Sequence, residues 1–406
     1  MRVLRVLVIF AWACLIIALG GSTVVAAASA EGAGNASTVR RLIDSGCLAQ
    51  DKTNPSNLEI AAASRGCPSI DPVFRVENGF NVAKINRISA DKECRVIATA
   101  SEDKTARVFR GDGTPLSILR PPIGPANGGK LRAVAVSPDG RIAVAGGWDI
   151  ALERAASTRT PGNTFDNGIY VFEAVSGKLL RRIGNFPFDL KTLVFSSDGS
   201  RLAATMGNNV FVLDAQKFEV LFHDGKLDNI AYGAAFGPDN SLFVTSLGGT
   251  IIKYDAAGLK VRQVQIKDFG RPYGIAVQPD GRAVAISSLD KTGVSILDAS
   301  SLKLVAGLDL TDLPPAPLGD LAGTSYGSVA AGGTMVNRTT GIAIARIWGT
   351  GTVRNFVDVQ ILNDSVNAIA PCGRDFLIAT VKPTLMLVDV RGRRNGGWRA
   401  GRCKPI

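Results

Sequence analysis

Short apolar stretches, each closed by a turn-forming phrase, recur along most of the chain. The phrase reads Ser137-Pro138-Asp139-Gly140, Ser196-Ser197-Asp198-Gly199, Gly237-Pro238-Asp239-Asn240 and Gln278-Pro279-Asp280-Gly281, with a weaker copy at Ala370-Pro371-Cys372-Gly373. Asp-Gly or Asp-Asn between alternating apolar residues predicts a hairpin, because the turn needs a backbone conformation with positive φ. A small apolar strand is predicted before each turn (Ala133–Val136, Thr192–Phe195, Ala234–Phe236, Ile275–Val277, Asn367–Ala370) and another after it (Ile142–Ala145, Leu202–Thr205, Leu242–Thr245, Ala283–Ile286, Phe376–Thr380). Gly (45) and Pro (19) punctuate the whole sequence, which favours many short strands over long helices.

Asp198, Asp239 and Asp280 are spaced 41 residues apart. That is the period of one blade in a radial repeat fold. The longer gap between Asp139 and Asp198 reads as an insertion within a blade. Turns near Asp91, Asp139, Asp198, Asp239, Asp280, Gly333 and Cys372 mark seven units, so the expected fold is all-β: a seven-bladed β-propeller of four-stranded antiparallel blades with a short N-terminal leader. The expected division is 1–30 signal peptide, 31–72 leader, 73–390 propeller and 391–406 basic tail. Since the Gly- and Arg-rich tail makes a poor strand, residues 73–77 are expected to supply the outer strand of the last blade and close the ring.

A second phrase accompanies the first. Ser101-Glu102-Asp103-Lys104-Thr105 leads into Ala106–Phe109, and Ser288-Leu289-Asp290-Lys291-Thr292 leads into Val294–Asp298. This S-x-D-x-T followed by an alternating strand resembles the WD-repeat family. The resemblance implies that Asp103, Thr105, Asp290 and Thr292 hold their blades by hydrogen bonds, and that the protein is a platform for protein interaction. The departures are plain: Phe109, Leu213, Tyr254, Leu297 and Val388 stand where the family has Trp, and its Gly-His dipeptide is missing.

The first thirty residues change the picture of location. Arg2 and Arg5 precede an uncharged apolar run, Val6–Leu19, and Ala28-Ser29-Ala30 reads as a cleavage site. The run is short for a membrane span, so an exported protein, periplasmic or secreted from a bacterium, is expected, with retention as an anchor the alternative. Loss of this segment would take two positive charges from the formal +11. The remaining surplus fits an anionic cell-envelope ligand or an acidic protein, or serves solubility alone. Export permits disulfides. Cys47 with Cys67 is the expected pair; among Cys94, Cys372 and Cys403, Cys372 can join either of the others, leaving one thiol.

Catalytic chemistry finds little support. His223 is the single histidine and falls at the end of an expected outer strand, so a His-based metal site is excluded and a Ser-His-Asp triad has one candidate base. The glycine pairs form no phosphate-binding loop, no cofactor is implied, and no nucleic-acid module is recognisable. A non-catalytic, monomeric binding propeller is the expected function; the alternative is a propeller hydrolase or lactonase with a carboxylate-held calcium ion.

The long irregular stretches Arg120–Lys130, Trp148–Gly168, Asn185–Asp189 and Thr311–Asp320 all fall on loops expected to share one face. Seven residues before the turn Asp or its equivalent stand Arg132, Lys191, Tyr232, Tyr273 and Tyr326, each Tyr followed by Gly. Lys84 and Ser365 are the looser counterparts in the first and last units. These residues, with Trp148, are expected to ring the channel mouth: cations to select negative charge and tyrosines to supply flat contact. The competing reading is that Tyr-Gly merely suits the tight start of the strand.

Overall fold

In a computed structural model, the described residues are 80–124, 126–148, 167–266, 268–349, 356–361 and 364–392, with the strands Trp398–Pro405 and five more before Ile60. The chain divides into two compact units, Met1–Phe80 and Asn81–Ile406. In the first, Arg5–Ile9, Cys14–Leu19, Ser22–Ala27, Leu48–Gln50 and Asn57–Ile60 form one sheet. The cleavage phrase Ala28–Ala30 and the pair Cys47 and Cys67 lie outside the described residues.

The second unit is a β-propeller of seven four-stranded antiparallel blades, each built from consecutive strands. The innermost strands, from blade one to blade seven, are Ile85–Ala90, Leu131–Val136, Leu190–Phe195, Ala231–Phe236, Pro272–Val277, Leu318–Gly323 and Val366–Cys372. Each packs beside the next, and the last beside the first. A strand this close to the axis is crowded from both sides, which is why Ala, Gly and Val dominate it and the strand behind it.

Seven apolar clusters fill the seven seams between neighbouring blades. Between blades one and two, for example, Val108 and Leu119 meet Leu131, Val134 and Phe172. Each such side chain contributes about 1.5–3 kcal/mol on burial. The hairpin turns behave as their sequences demand. Gly140, Gly199, Asn240, Gly281 and Gly327 hold positive φ at one aligned position, and blade one places Cys94 there at φ 54°.

The turn aspartates are structural. Asp139, Asp198 and Asp239 accept hydrogen bonds from Ser137, Ser196 and Ser241 and from the backbone N–H two residues on. Asn240 of blade four also donates to Asp198 of blade three at 2.7 Å, tying the two turns together. In the first S-x-D-x-T phrase Asp103 accepts from the Thr105 amide at 2.9 Å, and from Asn81 and the Val82 amide, so it anchors the incoming chain. The second phrase works differently: Asp290 pairs with Arg271, while Thr292 Oγ1 donates to Ala316 O at 2.9 Å and receives the Ala316 amide.

Ring closure differs from the sequence-based expectation. The last blade takes its fourth strand from Trp398–Pro405, which pairs antiparallel with Leu385–Gly392; residues 73–77, expected in that position, lie outside the described residues. Edge pairing needs backbone N–H and C=O groups more than it needs apolar side chains, so a Gly- and Arg-rich sequence can serve. The sixth turn is also displaced: it lies at Thr324–Ser328, and Gly333 ends the following strand. Blade seven then meets blade one in three ways. Ile88, Ile97 and Phe109 pack on Ala370, Leu377 and Leu385, Asn367 Nδ2 donates to Ile85 O at 2.6 Å, and Cys94 is disulfide-bonded to Cys372.

Two outcomes follow from this closure and these turns. Reducing the Cys94–Cys372 bond, or replacing both cysteines by Ser, should cost on the order of 2–5 kcal/mol, because the bond closes a loop of 278 residues. Denaturant unfolding with and without reductant measures this, and identical midpoints would show that the ring does not depend on the clasp. Burial works to raise Asp139, Asp198 and Asp239, but hydrogen bonds from Ser137, Asn240 and Ser241 outweigh it and hold them below the usual carboxylate value. Lowered acids stabilise above their unfolded pKa, about 3.9. The melting temperature should therefore hold steady down to about pH 5 and fall as the pH drops through about 4.

Candidate functional site

The same irregularity recurs in all seven innermost strands. Pairing with the second strand slips just after the first residue, at Ile85/Arg87, Leu131/Ala133, Leu190/Thr192, Ala231/Ala234, Pro272/Ile275, Leu318/Asp320 and Val366/Ala368. A bulge re-aims the side chain it carries. The second residues of these strands are Asn86, Arg132, Lys191, Tyr232, Tyr273, Gly319 and Asn367. Lys84 and Ser365 are therefore two residues out of register. The turns of blades one and seven begin at Asp91 and Cys372 themselves, where blade two begins at Ser137.

Tyr326 is not part of this ring. It sits in the sixth hairpin turn, at the other end of its strand, 52% exposed, with Arg374 of blade seven 4.4 Å from its ring centroid. Its following glycine, Gly327, holds positive φ in the turn. Gly233 and Gly274 are needed for another reason. A Cβ at either would collide with the next blade, at the Tyr273 carbonyl oxygen and at the Leu321 backbone.

Arg132, Lys191 and Trp148 converge on Asp189, the residue before the third innermost strand. Lys191 Nζ is 2.6 Å and Arg132 Nε 3.8 Å from its carboxylate, the Trp148 indole N–H donates to it, and the Arg132 guanidinium lies 4.8 Å over the Trp148 ring. Among the described residues two cations share one anion here, a positive surplus. The loop 149–166 lies outside the described residues. Of the other long loops, Thr311–Asp320 is pinned: Arg346, fully buried and 3.6 Å over Phe356, bonds both oxygens of Asp312 and of Asp358.

Tyr232 and Tyr273 stack at 4.0 Å with the Tyr273 hydroxyl donating to that of Tyr232. Both rings lie under Arg87, at 5.4 and 5.7 Å, and Arg87 pairs with Asp320 at 3.3 Å. Arg87 is the third residue of blade one and Asp320 the third of blade six, so one cation crosses the axis to three other blades. Burial opposes its charge, yet Asp320 and the two tyrosines more than compensate and hold its pKa above the usual arginine value. Burial pushes the Asp320 carboxyl up, against the pull of Arg87 and of the Ile369 amide. Sequence reasoning missed this pair. Its signal is a single charge inside an otherwise small and apolar innermost strand, Ile85-Asn86-Arg87-Ile88 and Leu318-Gly319-Asp320-Leu321.

Below this layer, toward the hairpin turns, lies a cavity of about 440 Å³ lined by the innermost strands of all seven blades. His223 stands apart on an outer strand, stacked on Phe211 at 4.0 Å with its Nε2 2.7 Å from Asn209. Among the described residues no group of three or more His, Cys, Asp or Glu is placed to hold a metal ion, and no helix is long and apolar enough to cross a membrane. No protein-family model matches the chain, and no curated protein matches it.

The buried pair makes a sharp expectation. Arg87→Met leaves Asp320 unpaired and should cost about 3–5 kcal/mol. Arg87→Met with Asp320→Leu removes both charges and should cost clearly less, as read by denaturant unfolding. Equal costs would mean that the two groups do not depend on each other.

Proposed function

We propose that this is an exported, non-catalytic binding propeller, a divergent relative of the WD-repeat proteins, that captures an acidic protein or anionic envelope ligand as a monomer. The observation that carries the reading is the cationic sector Arg132–Lys191–Trp148, held open to solvent by one shared carboxylate at the loop-side channel mouth. Arg132 keeps 36% of its side-chain surface exposed and Asp189 keeps 26%. A carboxylate arriving from solvent can therefore complete a charge balance that Asp189 alone leaves unfinished. The tyrosine pair on the opposite side is committed to Arg87 and supplies a rigid floor more than a free contact surface.

The calcium-dependent hydrolase reading needs several carboxylates facing the channel. The cavity lining offers Asp320, already engaged by Arg87 and the Ile369 amide. A carboxylate-held calcium ion takes six to eight oxygens, so a calcium requirement for binding or turnover is the measurement that separates the two readings.

Binding of an oligo-glutamate peptide, and capture of partners from an envelope extract, test the proposal across a salt series. Arg132→Ala with Lys191→Ala should weaken both roughly ten- to a hundredfold and flatten the salt dependence. Asp189→Ala should act in the opposite direction, since it frees both cations. Unchanged binding in the double variant would overturn the assignment and move the partner to another surface.

A further inference from the structure

The cavity at the turn side of the Arg87 layer is a second and separate site. Its walls are apolar: Val134, Val194, Phe236, Ile275 and Leu321 line it, with Arg87 and Asp320 at its base. Among the described residues its only other charged lining residue is Lys92, toward the hairpin turns. The lining thus carries two cations and one anion.

Two polar features at the inner end lack full partners. The Arg87 guanidinium has five N–H donors. Its described contacts are the 3.3 Å pair with Asp320, a hydrogen bond with the Tyr273 hydroxyl and the faces of two tyrosine rings. The Thr192 hydroxyl, on the same lining, is buried and has no hydrogen-bond partner. Arg87 lines the cavity and keeps 13% of its side-chain surface exposed, so its remaining N–H donors can take an acceptor arriving through the cavity.

The chemistry of that acceptor is constrained. A cation meets Arg87 and Lys92. A dianionic phosphate would shed its hydration against apolar walls with one half-neutralised guanidinium in return. A neutral alcohol fills one donor site and leaves the fork unused. A planar monoanion matches the fork. From the third to the sixth residue an innermost strand spans roughly 10 Å, room for an apolar body of roughly eight to ten carbons.

We infer that the channel cavity binds an amphipathic monocarboxylate, its head on Arg87 and its apolar body directed toward the hairpin turns. The site is independent of the loop-side mouth, because the Arg87–Tyr232–Tyr273–Asp320 layer stands between them.

Calorimetric titration with decanoate, decanol and decyltrimethylammonium tests this on the intact chain. Decanoate should bind at least tenfold tighter than decanol, and the cation should not bind. Arg87→Met with Asp320→Leu, which removes both charges together, should abolish the preference for decanoate over decanol. Ala90→Phe fills the cavity while leaving Arg87 in place, and should abolish binding of both probes. Arg132→Ala with Lys191→Ala should leave decanoate binding unchanged, which separates this site from the loop-side one. Equal affinity for decanoate and decanol, no binding of either, or full decanoate binding by the Ala90→Phe variant would overturn the inference.

Discussion

Every blade of this protein depends on a neighbour to cover its faces. A four-stranded sheet on its own would expose apolar side chains on both sides, and here those side chains are gathered into seven seams, each shared by two blades. Stability is therefore a property of the closed ring. A gap anywhere leaves two uncovered faces, and the seam between blades seven and one carries the added burden of joining the ends. Packing of Ile88, Ile97 and Phe109 on blade seven, the Asn367 hydrogen bond and the Cys94–Cys372 bond all fall at that seam.

The same crowding shapes the axis. Small residues let seven strands converge, and what remains between them is a lined space whose chemistry is set by the few positions that depart from Ala, Gly and Val. The repeated bulge decides which positions those are. It places Arg132 and Lys191 in one sector and Tyr232 and Tyr273 in another, and it brings Arg87 and Asp320 to the axis from blades one and six. A guanidinium held there is tolerated because a carboxylate and two aromatic faces surround it.

The blade count and the hairpins were legible in the sequence because both rest on local chemistry: positive φ at the turn and alternation on either side. What escaped was register across the ring. Tyr326 shares its spacing and its following Gly with Tyr232 and Tyr273, yet it belongs to a turn, because Thr324–Ser328 forms a hairpin without an Asp-Gly signature. Arg87 and Asp320 were invisible as a pair, since their meeting requires the curvature of five blades. Trp398–Pro405 reads as a solvated basic tail until one counts the unpaired backbone groups at the edge of the last blade.

The clasp between the first and last blades also changes what the chain is as a covalent object. Between Cys94 and Cys372 the polypeptide is a macrocycle. A single cut in any loop of that stretch opens the macrocycle but releases nothing: the two pieces stay bonded through sulfur, and each blade keeps its neighbours. Wherever a protease reaches a loop such as Arg120–Lys130, such a ring can be nicked without being lost.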